Sequence, residues 1–187
     1  FGMKGVQLSA ATCTWLFFGL LAYVFFFGGQ TRFIIEEGIT ALGNLTQNFI
    51  GLATWTDSLR TSSFPQTWTI FYWAYWMVWC VAVPFFIGSI SKGRTLRQVI
   101  LGGYVFGLSG TFTSFIIMGN YGLGLQMHGK LDVLSTYAAD GNLYHAILDI
   151  LGQLPLSKAV LVLLVLCMIT FYSTSFDSIT MVASTYT

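Results

Sequence analysis

The sequence predicts an all-α polytopic membrane protein, and three observations carry that prediction. Of 187 residues, 55% are apolar and only 8% are charged, whereas a soluble domain carries about 25% charged residues. The charges cluster, leaving uncharged stretches of 27 residues between Lys4 and Arg32, 31 between Arg60 and Lys92, 32 between Arg97 and Lys130, and 18 between Lys158 and Asp177. A helix needs about 20 mostly apolar residues to cross the hydrocarbon, so each stretch can hold one span. Finally, eight Lys+Arg against seven Asp+Glu leave a net charge of +1, with no basic surface for a nucleic acid. The three cysteines, Cys13, Cys80 and Cys167, each sit inside an apolar run and do not form a disulfide framework.

In chain order, the spans fall near 8–28, 68–90, 99–119 and 158–180, making residues 1–187 a single transmembrane domain in a lipid bilayer. The loop 91–97 between the second and third spans carries Lys92, Arg94 and Arg97 and no anion. The bias of Lys and Arg toward the cytoplasm places this loop inside a multi-pass plasma-membrane protein, with Lys4 on the same side. The longer connections 31–66 and 121–157 then lie outside. Within 31–60, Ile35, Ile39, Leu42, Leu45, Phe49, Leu52, Trp55 and Leu59 recur at helical spacing, opposite Glu37, Thr40, Asn44, Gln47 and Asn48. This pattern predicts an amphipathic outer helix lying along the membrane or over the mouth of a site. A helix that simply covers its neighbours fits the pattern equally. In 121–157, Asp140-Gly141-Asn142 marks a turn and Leu143 to Leu151 a short helix before Pro155. Pro84, inside the second span, is expected to kink it.

The second span carries the strongest chemical signal. At 100° per residue, Trp68, Tyr72, Tyr75, Trp76 and Trp79 occupy about 100° of one helix face, and Trp73 lies outside it. Interfacial belts put Trp and Tyr at span ends, yet Tyr75, Trp76 and Trp79 reach toward the middle. A stripe of π faces suits a cation that cannot donate hydrogen bonds, quaternary ammonium above all, at about 1–2 kcal/mol per desolvated contact. Packing against helices or lipid is the competing reading of the same rings.

The run Trp68 to Trp79, followed by Ile90-Ser91-Lys92-Gly93-Arg94-Thr95, resembles the signature of the betaine/carnitine/choline transporter family, W-T-x-F-Y-W-A-W-W-x-x-W and then I-S-[KR]-G-R. Similarity extends from Lys4-Gly5 to the run Phe171 to Ser178. The resemblance implies part of a leucine-transporter-type inverted-repeat fold, with the sequence reading as a portion that covers family helices 7 to 10. It implies that Trp76 lines a central quaternary-ammonium site, that Trp79 lies further along the cytoplasmic path, and that Trp68 stands toward the outer vestibule. Tyr75 occupies a position where the family usually has Trp, and Ser89 one where it usually has Arg. A phenol keeps a π face and adds a hydroxyl, so substrate preference is open to change there.

Thr174 and Ser175 are adjacent hydroxyls in an otherwise apolar span. Such residues commonly bond back to the preceding turn, and hydroxyl and carbonyl oxygens are also the hard ligands transporters offer to Na⁺. The resemblance implies a Na⁺ site at Thr174, Ser175 and the carbonyl of Phe171, and a homotrimeric assembly. Together these readings predict alternating-access transport of glycine betaine, carnitine or choline, coupled to Na⁺. Sodium-independent exchange is the alternative, and a membrane sensor of the same ligands a further one. A membrane-embedded enzyme would need acid–base or metal-ligating residues within the spans, and these supply only Asp177; no catalytic constellation or other cofactor is expected.

Overall fold

The computed structural model describes residues 3–185, without the side chains of Met3, Lys4, Val6, Ala82, Asp140, Met181 and Thr185. Lys4, invoked above for orientation, therefore lies outside the described side chains.

Helix α1 (Met3–Phe27) and helix α10 (Ser157–Thr185) pack along each other. Their paired contacts run in opposite directions. Ser9 faces Thr174, the Phe17 and Phe171 rings meet edge to face at 5.5 Å, and the Tyr23 hydroxyl donates to the Pro155 carbonyl at 2.6 Å. The two helices are therefore antiparallel.

After α1 the chain turns at Gly28-Gly29. A Cβ on Gly28 would stand 2.5 Å from the Val24 carbonyl oxygen and 2.7 Å from the Tyr121 ring, and Gly29 adopts φ +67°. Only glycine meets both demands. The helix expected over 31–60 is shorter and broken: α2 runs Thr31–Gln47, α3 runs Phe49–Thr54, and the chain becomes extended at Trp55. The apolar spacing continues to Leu59, but Asp57 and Arg60 take positive φ and end the helix. Gly38 of α2 lies so close to Ile116 that a Cβ would come within 2.6 Å of its Cγ2.

The span expected over 68–90 is two helices, α4 (Ile70–Trp79), led in by a π-turn at Pro65–Thr69, and α5 (Ala82–Ile90). Helix α6 (Leu96–Ser114) opens with a reciprocal cap. The Gln98 amide N–H donates to Thr95 Oγ1 at 3.3 Å, and the Thr95 N–H donates to Gln98 Oε1 at 3.0 Å. Helix α6 passes through a π-turn, Phe115–Gly119, into α7 (Asn120–Met127), giving one apolar helix of 32 residues rather than one ending at 119. The extra residue of the π-turn brings Ile116, Ile117 and Met118, three consecutive side chains, against the core. Helix α8 (Val133–Asp140), absent from the sequence expectation, precedes Gly141 at φ +64° and α9 (Leu143–Gly152).

The core sits at one end of the bundle, away from the 91–97 loop. There Leu20 and Val24 of α1, Ile34 of α2, Tyr121 and Leu125 of α7, Leu151 of α9, Leu154, and Val160 and Cys167 of α10 are all buried together. Among the described residues there is no strand, and the helices Gln7–Phe27, Leu96–Met127 and Ser157–Ser184, with the bent pair α4–α5 counted as one, are long and apolar enough to cross a membrane.

Candidate functional site: an aromatic wall beside a hydroxyl-bearing helix

The start of α4 is fixed by the loop before it. The Asp57 carboxylate accepts hydrogen bonds from Thr61 N (3.1 Å) and Oγ1 (2.9 Å), Ser62 N (2.9 Å) and Oγ (3.0 Å), and Ser63 N (2.8 Å). Gln66 donates to the Thr56 carbonyl at 3.0 Å, and the Trp55 and Phe64 rings stack at 6.5 Å. Burial is the largest single influence on the Asp57 carboxyl and pushes its pKa up. The hydrogen bonds from residues 61–63 together outweigh burial and hold the value at about 2.

From this anchored start the rings of α4 form a continuous wall. Trp68 stacks on Tyr72 (6.3 Å), Phe71 on Tyr75 (6.2 Å), and Tyr75 leans on Trp79 (6.1 Å). Phe71 and Trp76 meet Tyr72 and Tyr75, respectively, edge-on. All five rings picked from the sequence belong to this wall. Phe71, left off the stripe by helical angles, ties its two ladders together. Trp73, also off the stripe, shares with Thr69, Tyr72 and Trp76 an open groove of about 240 Å³. A wheel drawn at 100° per residue misses these two because Trp68 and Thr69 belong to the wider π-turn, and because rings this long reach beyond their own sector. The wall is open, with Trp76 61% exposed. Rings from one helix make a face; enclosing a cation takes a second element.

The break after Trp79 has a covalent cause. Pro84 has no N–H to give the Cys80 carbonyl four residues back, and its ring crowds that oxygen. The chain accordingly turns at Cys80 and Val81, and α5 leaves at 58° to α4. The turn leaves Trp79 half-buried in a cleft with Val83 and Phe86, facing Ser178, Ile179 and Val182 of α10. The end of the aromatic wall thus adjoins the hydroxyl-bearing half of α10.

On α10, Thr174 Oγ1 donates to the Thr170 carbonyl at 2.8 Å, Ser175 Oγ to the Phe171 carbonyl at 3.1 Å, and Ser178 Oγ to the Thr174 carbonyl at 2.8 Å. Both sequence-selected hydroxyls bond back to the preceding turn, as such residues commonly do. Ser175 Oγ and the Phe171 carbonyl lie together on an exposed face, while half-buried Thr174 is turned toward α1. Asp177 is exposed and lines a separate groove with Tyr172, Ser173 and Phe176.

The sequence model of the betaine/carnitine/choline family of transporters matches residues 2–187 of this chain. The chain belongs to that family. It is 29% identical over 177 residues to a carnitine transporter of Acinetobacter baumannii, covering 94% of this chain and 32% of that protein. To the uncharacterized transporter YeaV of Escherichia coli it is 31% identical over 176 residues, 94% of this chain and 36% of that one. A probable glycine betaine transporter of Desulfitobacterium hafniense is 30% identical over 184 residues, 98% of this chain and 36% of its own length. The chain thus spans about a third of each of these curated relatives. Family membership and the apolar helices together mark a multi-pass, all-α membrane protein.

Proposed function

We propose that the protein carries quaternary ammonium compounds such as glycine betaine, carnitine or choline across the plasma membrane by alternating access, coupled to Na⁺. The α4 wall forms one side of the substrate cage: Trp76 and Tyr75 contact the trimethylammonium group, Tyr72 and Trp68 line the approach, and Trp79 stands on the far side. Na⁺ takes Thr174 Oγ1, Ser175 Oγ and the Phe171 carbonyl. The 91–97 loop faces the cytoplasm, and the assembled protein is a homotrimer. The names of the relatives support a transporter rather than an enzyme.

The observation that carries this reading is the meeting of the aromatic wall with α10 at Trp79, within a single polypeptide of the family. The back-bonded hydroxyls are compatible with the ion. Each has committed its proton to a carbonyl, so its lone pairs remain for a cation.

The test is tryptophan fluorescence of the full-length protein in detergent, titrated with betaine, carnitine and choline in NaCl and in KCl, with flux measured in proteoliposomes. A saturable response that requires Na⁺ and accompanies flux is expected. Equal saturation in both salts would keep the cage and replace symport by exchange. Binding without flux would point to a sensor. No response to any methylammonium compound would refute the substrate class.

A further inference from the structure

We infer that the cleft where α1 turns into α2 is a binding site for the carboxylate group of a small organic anion, separate from the aromatic wall and from the hydroxyls of α10. The cleft has a volume of about 370 Å³ and is lined by Gly29, Gln30, Arg32, Phe33 and Glu36 at the start of α2 and by His128 at the end of α7. Its size falls within the range of small-molecule sites.

Two independent observations point to an anion. The first is the uncompensated start of α2. The opening N–H groups of a helix carry partial positive charge, which a capping oxygen or an acidic side chain ordinarily meets. Here Gln30 stands at the N-cap without a side-chain capping bond, and the first turn holds the cation Arg32 and no acidic residue. The N–H groups of Thr31, Arg32 and Phe33 have no acceptor among the described residues.

The second observation is Gln30 itself. It is 5% exposed and lines the cleft, yet its side-chain amide makes no hydrogen bond among the described residues. A buried amide without a partner is costly, and native proteins rarely keep one unless a ligand or water meets it. The amide lies over Gly124 of α7, where a Cβ would stand 3.2 Å from Oε1.

Charge and shape fix the class. Glu36 Oε1 accepts from Arg32 Nε at 2.7 Å, so the acid in the cleft is neutralised while the terminal nitrogens of the guanidinium keep no partner among the described residues. The helix end adds roughly half a positive charge, which suits a single negative charge rather than the two of a phosphate. A carboxylate has two oxygens, one for the guanidinium and one for Gln30 and the α2 amides. The Phe33 ring, set edge to face against His128 at 5.4 Å, offers an apolar surface to its carbon chain.

The experiment follows the thermal unfolding midpoint of the full-length protein in detergent as sodium propionate replaces NaCl at constant ionic strength, for wild type, Gln30→Met, Arg32→Gln and Trp76→Ala. Wild type should show a saturable rise in midpoint. Gln30→Met keeps the length of the side chain and deletes the amide, and Arg32→Gln deletes the charge. Each should raise the propionate concentration at half-effect about tenfold, since each removes a hydrogen bond to a charged group. The midpoint of Gln30→Met in NaCl should equal or exceed that of wild type, because the unpartnered amide is gone. Trp76→Ala should titrate as wild type, which separates this cleft from the proposed substrate cage. If wild type shows no saturable response, chloride serves as well as a carboxylate or nothing binds, and the inference is overturned. A response lost in Trp76→Ala would place the propionate at the substrate cage and overturn it too. A lowered midpoint of Gln30→Met in NaCl, with the half-effect unchanged, would assign Gln30 to packing alone, with the same consequence.

Discussion

The two ends of this bundle are made of equally apolar residues and treat them in opposite ways. Around Tyr121, side chains from α1, α2, α7, α9 and α10 close on one another, and Val24, Ile34, Leu125 and Leu151 are almost wholly buried. Along α4 and α6, no residue is buried at all. Apolarity alone therefore does not identify a core. The difference is whether the partner lies within the same 187 residues. The packed end finds its partners in the chain, and most of the aromatic wall finds no covering element among the described residues.

The sharpest way to break this contrast is to remove its central ring. Tyr121→Ala leaves a cavity among fully buried neighbours and should destabilise the full-length protein by about 3–5 kcal/mol, read as a large drop in unfolding midpoint in detergent. Tyr121→Phe sharpens the point. The hydroxyl has no partner among the described residues, so its deletion should leave stability equal or higher. A loss would show that the hydroxyl is bonded in the assembled protein.

At the open end, the expected effect is on binding. Trp76→Ala should weaken methylammonium binding by about 5- to 30-fold, the equivalent of about 1–2 kcal/mol of cation–π attraction, with the unfolding midpoint close to wild type. A loss of fold comparable to Tyr121→Ala would mean that Trp76 is a packing residue. Between these extremes, Thr95→Ala removes the cap at the start of α6 and should cost about 1 kcal/mol without altering binding.

The smallest effect is expected from pH. The Asp57 pKa in the folded protein is about 2, below its ordinary value near 4. Its contribution to stability is therefore complete above about pH 4 and is lost as pH falls toward 2. The midpoint measured from pH 7 to 5 should show no step from this group, and Asp57→Asn should remove the acid transition attributed to it.

How far the sequence foretold this follows the same division. The apolar stretches, the five rings from Trp68 to Trp79, the hydroxyls of α10 and the kink from Pro84 are local matters of composition and periodicity, and they could be read directly. The end of α3 could not, because the apolar spacing runs on through Leu59 while Asp57 gathers the amides of residues 61–63 and reverses the chain. The π-turn at Phe115–Gly119 and the approach of Ser9 to Thr174 were equally hidden. One adds a residue to a turn without a distinctive sequence, and the other depends on two helices meeting across most of the chain. Phe71 and Trp73 were within reach had side-chain length been weighed alongside helical angle.

The uninterrupted helix from Leu96 to Met127 works as a ruler. Its 32 residues measure about 48 Å, against about 30 Å of hydrocarbon. Even at the steep end of observed tilts, roughly 40°, about 37 Å still lies along the membrane normal. At least about 7 Å of this helix must then stand beyond the lipid tails. The packed end is not wholly outside them, since Leu20 and Val24 lie within the apolar stretch of α1 and Val160 and Cys167 within that of α10. Exclusion of water does not hold helices together within the bilayer, where they rely on shape. Urea acts on cohesion that depends on water, so graded denaturation should leave the α1–α10 pair standing.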